Sequence, residues 1–156
     1  MTLAIAIAGL VVAVASLVWQ AVSWSYTGAR VRVKVSNGVT AYGSEPVIVA
    51  IVEANNVGRS AVEVTGWGLL LPGGQSFVLQ RALPGNTPTP STPAGGHRAT
   101  FVIPFGYLAR PEVVGAGDSV KVRGYLDLGT GKRVTSDRFD IAAEVIRTEA
   151  AAPGLP

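Results

Sequence analysis

The chain opens on a stretch that is almost free of polar positions. From Leu3 to Val22 only Ser16 and Gln20 carry polar side chains, and no charged side chain precedes Arg30. At helical rise, twenty residues reach about 30 Å, the thickness of a hydrocarbon core. Backbone groups in lipid must pair within their own segment, so this run predicts a transmembrane helix. Trp19, Trp24 and Tyr26 cluster toward its C-terminal end, where amphipathic rings suit the boundary between lipid and water. The predicted anchor with its aromatic collar covers residues 1–26.

A cleaved signal peptide is the competing reading of the same residues. Ala13-Val14-Ala15 has the small-residue pattern of a cleavage site. Against it, no Lys or Arg precedes the apolar run, and the run continues past that site. A core helix is the other alternative, but a domain built from strands offers little interior to enclose a helix apolar on every face.

Beyond Ala29 the period changes to two. Val31, Val33 and Val35 alternate with Arg30, Arg32 and Lys34, which predicts a half-buried strand with a basic row outward. Asn37-Gly38 reads as a turn, with Val39 to Tyr42 pairing back. Pro46 to Ala54 is a β-branched run suited to a central strand. Asn55, Asn56 and Gly58 follow as a turn. Ala61 to Leu71 has strand character, with Gly66 and Gly68 marking a bulge around Trp67. The Pro72-Gly73-Gly74 turn then leads into Gln75 to Gln80.

Arg81 to Gly96 contains Pro84, Pro88, Pro90 and Pro93 and reads as a long surface loop. Strand signals resume at Arg98 to Pro104. Ser119 to Leu128 and Arg133 to Ile141 form a second predicted hairpin across Gly129-Thr130-Gly131-Lys132, with a bulge expected at Gly124. About seven short strands at intervals of roughly 8–12 residues predict an all-β antiparallel sandwich or barrel. The predicted domain spans residues 27–148, and residues 149–156 are a small, Pro-ended segment expected to be disordered.

Composition agrees with an anchor joined to a soluble domain. Of 156 residues only 15% are charged, and mean hydropathy is +0.37. The net charge of +3 comes from interspersed bases and acids. Nucleic-acid binding would call for a denser basic patch with stacking aromatics, so no nucleic acid is expected as a partner. With no cysteine, disulfide scaffolds, thiol nucleophiles and cysteine zinc sites are excluded.

Catalytic signals are weak. His97 is the single histidine, placed at the end of the Pro-rich loop, and no GxSxG elbow is present. Gly131-Lys132 lacks the further glycine of a phosphate loop, since Leu126 stands there, and Arg133 replaces its Ser or Thr. Asp127, Asp137 and Asp140 are interleaved with Lys132, Arg133 and Arg138, a pattern that fits a solvated charged face better than a calcium site. No enzyme activity, cofactor or metal is expected.

Asn55-Asn56-Val57-Gly58-Arg59, the pattern Ala61-Val62-Glu63-Val64, the Trp67 strand and the Leu71-Pro72-Gly73-Gly74 hairpin resemble the early strands of bacterial immunoglobulin-like domains. A short anchor ahead of such a domain is similar to small membrane-anchored proteins of GC-rich bacteria. The resemblance implies an Ig-like antiparallel β-sandwich of about seven strands. It carries no catalytic residues to this chain.

These patterns lead to one expectation for function. The chain is a single-pass protein of the cell membrane, with Trp19, Trp24, Tyr26, Arg30, Arg32 and Lys34 at the bilayer interface. The basic residues follow the helix closely, and only the α-amino group precedes it, which places the C-terminal domain on the cytoplasmic side. The domain is a non-enzymatic binding or scaffolding module for a protein partner, with Arg81, Asn86, Thr87, Thr89 and His97 of the Pro-rich loop as its contact residues. The alternative is a secreted or extracytoplasmic envelope protein with the same fold.

Overall fold

The computed structural model describes residues 2–42, 45–79, 83–114 and 117–151. A single N-terminal helix, α1 (Thr2–Thr27), precedes a chain that is mostly β. Among the described residues eight strands follow: β1 (Val31–Tyr42), β2 (Glu45–Asn56), β3 (Val64–Leu70), β4 (Ser76–Phe77), β5 (Arg98–Pro104), β6 (Ser119–Leu128), β7 (Arg133–Thr135) and β8 (Phe139–Ala142). Among the described residues two short α-helices, α2 (Pro111–Val114) and α3 (Ala143–Ala151), and two single 3-10 turns at Pro72–Gly74 and Phe105–Leu108 complete the order.

The strands form two antiparallel sheets. One runs β1-β2-β5, the other β4-β3-β6-β7, with β8 also pairing β6. The inward row of each strand supplies one continuous core. Val35, Ala50, Val52, Ala54, Phe101 and Ile103 of the first sheet meet Val64, Trp67, Leu69, Val120, Val122 and Leu126 of the second. Trp67 stacks on Phe101 across this interior, with ring centroids 4.7 Å apart, a geometry that adds to the area both rings bury.

The valine alternation of β1 turns inward as the period of two requires. Val35 is buried, Val31 and Val33 pack partly against the core, and Arg32 and Lys34 point outward. The turn expected at Asn37-Gly38 is absent. Asn37 and Gly38 instead continue the ladder opposite Ala50 and Val49. A Cβ on Gly38 would stand 2.6 Å from Ile51 Cδ1, so this glycine leaves room for a neighbouring side chain rather than bending the chain.

Several expectations hold with altered detail. The bulge expected near Gly66 lies between Val64 and Gly66. The strand expected over Gln75 to Gln80 is only Ser76–Phe77, paired with Leu70 and Leu69; Gln80 lies outside the described residues. The strand expected over Arg133 to Ile141 is divided in two by the buried Ser136, whose Oγ accepts from Gly124 N–H at 2.9 Å. Along β6 the neighbour therefore changes from β8 to β7 at Gly124. A Cβ there would meet Val35 Cγ2 at 2.6 Å, so this position must be glycine for the two sheets to approach.

Residues 149–151, expected to belong to a disordered tail, are helical. Glu149 to Ala151 continue α3, and Glu149 Oε2 accepts from Ile48 N–H at 3.1 Å. This carboxylate pairs a β2 amide just beyond Val49, the last β2 residue that faces β5. Ile146 and Ala143 of the same helix are buried in the core. Residues 152–156 lie outside the described part.

Candidate functional site

Apolar surface is distributed very unevenly. The Thr2–Trp24 stretch of α1 has mean hydropathy 2.4, none of it is buried, and it is long and apolar enough to cross a membrane. Trp19 and Trp24 are exposed on it. Tyr26 lies within α1, but its side chain is outside the described set.

The helix ends against the domain. Ser60 Oγ donates to Thr27 O, and Val57 N–H donates to Arg30 O at 2.8 Å. Residues 28–30 are all that separate α1 from β1. The buried Asn56 organises this junction. Its Nδ2 donates to Ser60 O at 2.8 Å and Pro93 O at 3.1 Å, and its Oδ1 accepts from Gly58 N–H at 3.1 Å. One side chain thus ties the end of β2, the following turn and the Pro-rich loop together. The sequence marked Asn55 and Asn56 alike as turn formers; strand parity sends Asn56 inward and Asn55 outward.

The basic row of β1 is exposed, as predicted, and the sheet widens it. Arg32 faces Asn55 and Lys34 faces Glu53, while β5 brings Arg98 opposite Asn55. Arg98 Nη1 lies 3.3 Å from Glu53 Oε1.

The Pro-rich loop is tied down rather than free. Asn86 Oδ1 accepts from Val102 N–H at 2.6 Å, and Thr87 Oγ1 accepts from Thr100 N–H at 2.9 Å. Thr87 N–H donates to Thr100 O, and Ser91 bridges Val64. Two of the five expected contact residues thus close the outer edge of β5, which would otherwise invite pairing by another chain. Thr89 and His97 are exposed, and Arg81 lies outside the described residues. His97 reaches the helix-proximal end instead, where its carbonyl accepts from Asn56 N–H at 3.0 Å. Of the described contact residues, Thr87 and His97 share one cleft, and Asn86 and Thr89 do not line it. Thr87, Ser91, Pro93, His97 and Arg98 line a shallow cleft of about 360 Å³, in which the enclosed Ser91 Oγ has no hydrogen-bond partner among the described residues.

A second cleft, of about 430 Å³, lies at the other end of the domain. The Pro72–Gly74 turn and Leu70 wall it, and Lys121, Arg123 and Arg138 bring three cations to its rim. Alternation along β6 signals that Lys121 and Arg123 share a face. Only the fold adds Arg138.

The last hairpin carries the clearest ion pair. Arg133 Nε and Nη2 donate to the two Asp127 oxygens at 2.7 and 2.9 Å, while the guanidinium carbon sits 4.2 Å from the Tyr125 ring centroid. This hydrogen bond holds Asp127 below its ordinary value against the opposing effect of burial, and the guanidinium charge adds a lesser lowering. Among the described residues no group of three or more His, Cys, Asp or Glu is placed to hold a metal ion.

No family model and no curated protein matches the chain. An X-ray structure of a Northeast Structural Genomics Consortium target aligns over 84% of this chain and 92% of its own, at 15% identity and a TM-score of 0.33. A likeness this distant carries no argument about function.

Proposed function

We propose that this protein is a membrane-tethered, non-enzymatic binding or scaffolding module. The observation that carries the reading is α1, whose Thr2–Trp24 stretch is apolar and wholly unburied while the strands behind it enclose their own core. An apolar helix with no protein surface to cover finds its partner in lipid. The basic residues that follow it, Arg30, Arg32 and Lys34, favour a cytoplasmic domain.

The fold reading that accompanies this proposal is an immunoglobulin-like sandwich. Two antiparallel sheets, a shared core and the Trp67–Phe101 stack support it. A protein partner meets the domain away from the tether, where Lys121, Arg123 and Arg138 around the open cleft suit an acidic segment.

Alkaline carbonate extraction of membranes carrying the full chain tests the tether. The expected result is retention in the membrane pellet, and release into the soluble fraction sinks the reading. A signal sequence passes the same test of length and apolarity as α1, which keeps an extracytoplasmic envelope protein as the second reading. A C-terminal reporter active only outside the cytoplasm separates the two, and its activity would overturn the cytoplasmic assignment.

A further inference from the structure

We infer that the α1-proximal end of the domain is a docking face for anionic lipid headgroups, assembled from three turns distant in sequence. The inference rests on the membrane tether and adds the surface that lies against the bilayer and the lipid chemistry it selects.

Strand registers bring one set of strand ends to the C-terminus of α1. β1 starts there, β2 and β6 end there, and β3, β5 and β7 start there. Backbone bonds lock the turns between them. Gly96 N–H donates to Asn56 O at 2.8 Å, and Gly129 N–H donates to Glu63 O at 2.8 Å. The end thus presents the turns at 57–60, 94–97 and 129–132 together, each bonded to a strand end or to the residue before one.

Charge gathers here. Arg30, Arg32, Lys34, Arg59, Arg98, Lys132 and Arg133 all lie towards this end, against the carboxylates Glu53, Glu63 and Asp127. Two of those carboxylates are held in ion pairs. Arg110, Lys121, Arg123, Arg138 and Arg147 lie towards the other end, nearly balanced by Asp118, Asp140, Glu144 and Glu149. The domain is therefore polarised along its strands, with its positive end beside the apolar helix.

Distance makes the polarity effective. Ser60 is bonded to Thr27, and Thr27 lies three residues after Trp24, about 5 Å along a helix. If the hydrocarbon boundary falls at Trp24, the turn at 57–60 lies within reach of a surface potential that decays over about 8 Å. Val57, 53% exposed in that turn, and Trp24, 83% exposed at the helix end, offer apolar and amphipathic groups to the headgroup layer. Each basic residue at such a surface contributes a factor of about five to binding, the equivalent of about 1 kcal/mol.

The chain has no cysteine, so single-cysteine labels report one position each. The full chain is reconstituted in bilayers of phosphatidylcholine alone or with phosphatidylglycerol added, with acceptor dyes on the headgroups. A donor at Thr130→Cys should show higher energy transfer in the anionic bilayer, reversed by salt. A donor at Gln75→Cys, at the opposite end, should show no such rise. Arg59→Gln with Lys132→Gln, both at exposed positions, should lower the ratio of docked to undocked domain about five-fold per charge, with thermal unfolding unchanged. Equal Thr130 transfer in both bilayers leaves these cations to a soluble acidic partner and overturns the inference, as does insensitivity to the double substitution. With the chain retained after carbonate extraction, either result overturns docking alone. Release by carbonate overturns the tether and docking together.

Discussion

Leu3 to Val22 and Pro46 to Ala54 are both nearly free of polar side chains, yet they end in opposite environments. In α1 the large apolar side chains stand in the open, Leu3 and Trp19 each 74% exposed. In β2 the residues Val49, Ala50, Val52 and Ala54 are all buried. Length and period account for the difference. The nine residues of Pro46 to Ala54 lie within one strand, whose inner row meets the main core while Val47 and Val49 join Val102 in a smaller cluster on the outer face. Twenty residues make a helix apolar all round, which would need neighbours on every side. Two sheets already packed on each other leave no such room.

Glycines of the helix and of the sheets show the same contrast. A Cβ on Gly9 of α1 would meet nothing within 4 Å, whereas one on Gly124 would press on Val35 and Val52. Protein atoms constrain the second position closely and the first not at all.

The largest expected effect breaks the comparison from the β side. Phe101→Ala removes the ring stacked on Trp67 and leaves a cavity between the sheets. It should cost about 3–5 kcal/mol of domain stability in a denaturant titration. A cost below about 1 kcal/mol would mean that the two sheets do not share a close-packed interior. The next effect breaks it from the helix side. Val12→Arg should disfavour membrane insertion by about 2.5–3.5 kcal/mol, read as a smaller carbonate-resistant fraction, while the domain's unfolding midpoint stays put. A shifted midpoint would show that α1 packs on the domain after all.

The smallest effect sharpens the electrostatics of the helix-proximal end. Asp127 has its folded value lowered mainly by the hydrogen bond from Arg133. Its stabilising contribution is therefore complete above the ordinary carboxylate range near pH 4, and it fades as pH falls through the lowered value. The pair is exposed, so the contribution is small and salt should weaken it. Asp127→Asn should be slightly less stable than the parent at neutral pH, with the gap closing on acidification. A gap that persists unchanged at low pH would assign the loss to packing instead.

Local pattern was enough to place most of the strands and the apolar helix, because both periods are written in consecutive side chains. The alternation in Arg30 to Val35 announced which residues of β1 face inward, and the glycines around Trp67 announced an irregular strand. Pattern failed where partners were distant. Asn37-Gly38 has the composition of a turn, but pairing with β2 keeps it extended. Asn86 and Thr87 look like exposed loop polar residues, but the free edge of β5 needs hydrogen-bond partners and they supply them. Ser136 reads as one more polar strand residue, and its role appears only beside Gly124.

The same division separates the anchor from the end of the domain beside it. Composition alone determined that residues 3–22 form an apolar segment long enough to span a bilayer, since hydrophobic length is a property of consecutive residues. It also determined that Arg32 and Lys34 share a face. Only the tertiary structure decided that Arg59, Arg98 and Lys132 join them, and that Asn56 binds the turn of Arg59 to the loop that precedes Arg98. Those residues are separated by tens of positions in the chain, and the register of antiparallel ladders, rather than any local preference, brings them to the end where the helix leaves.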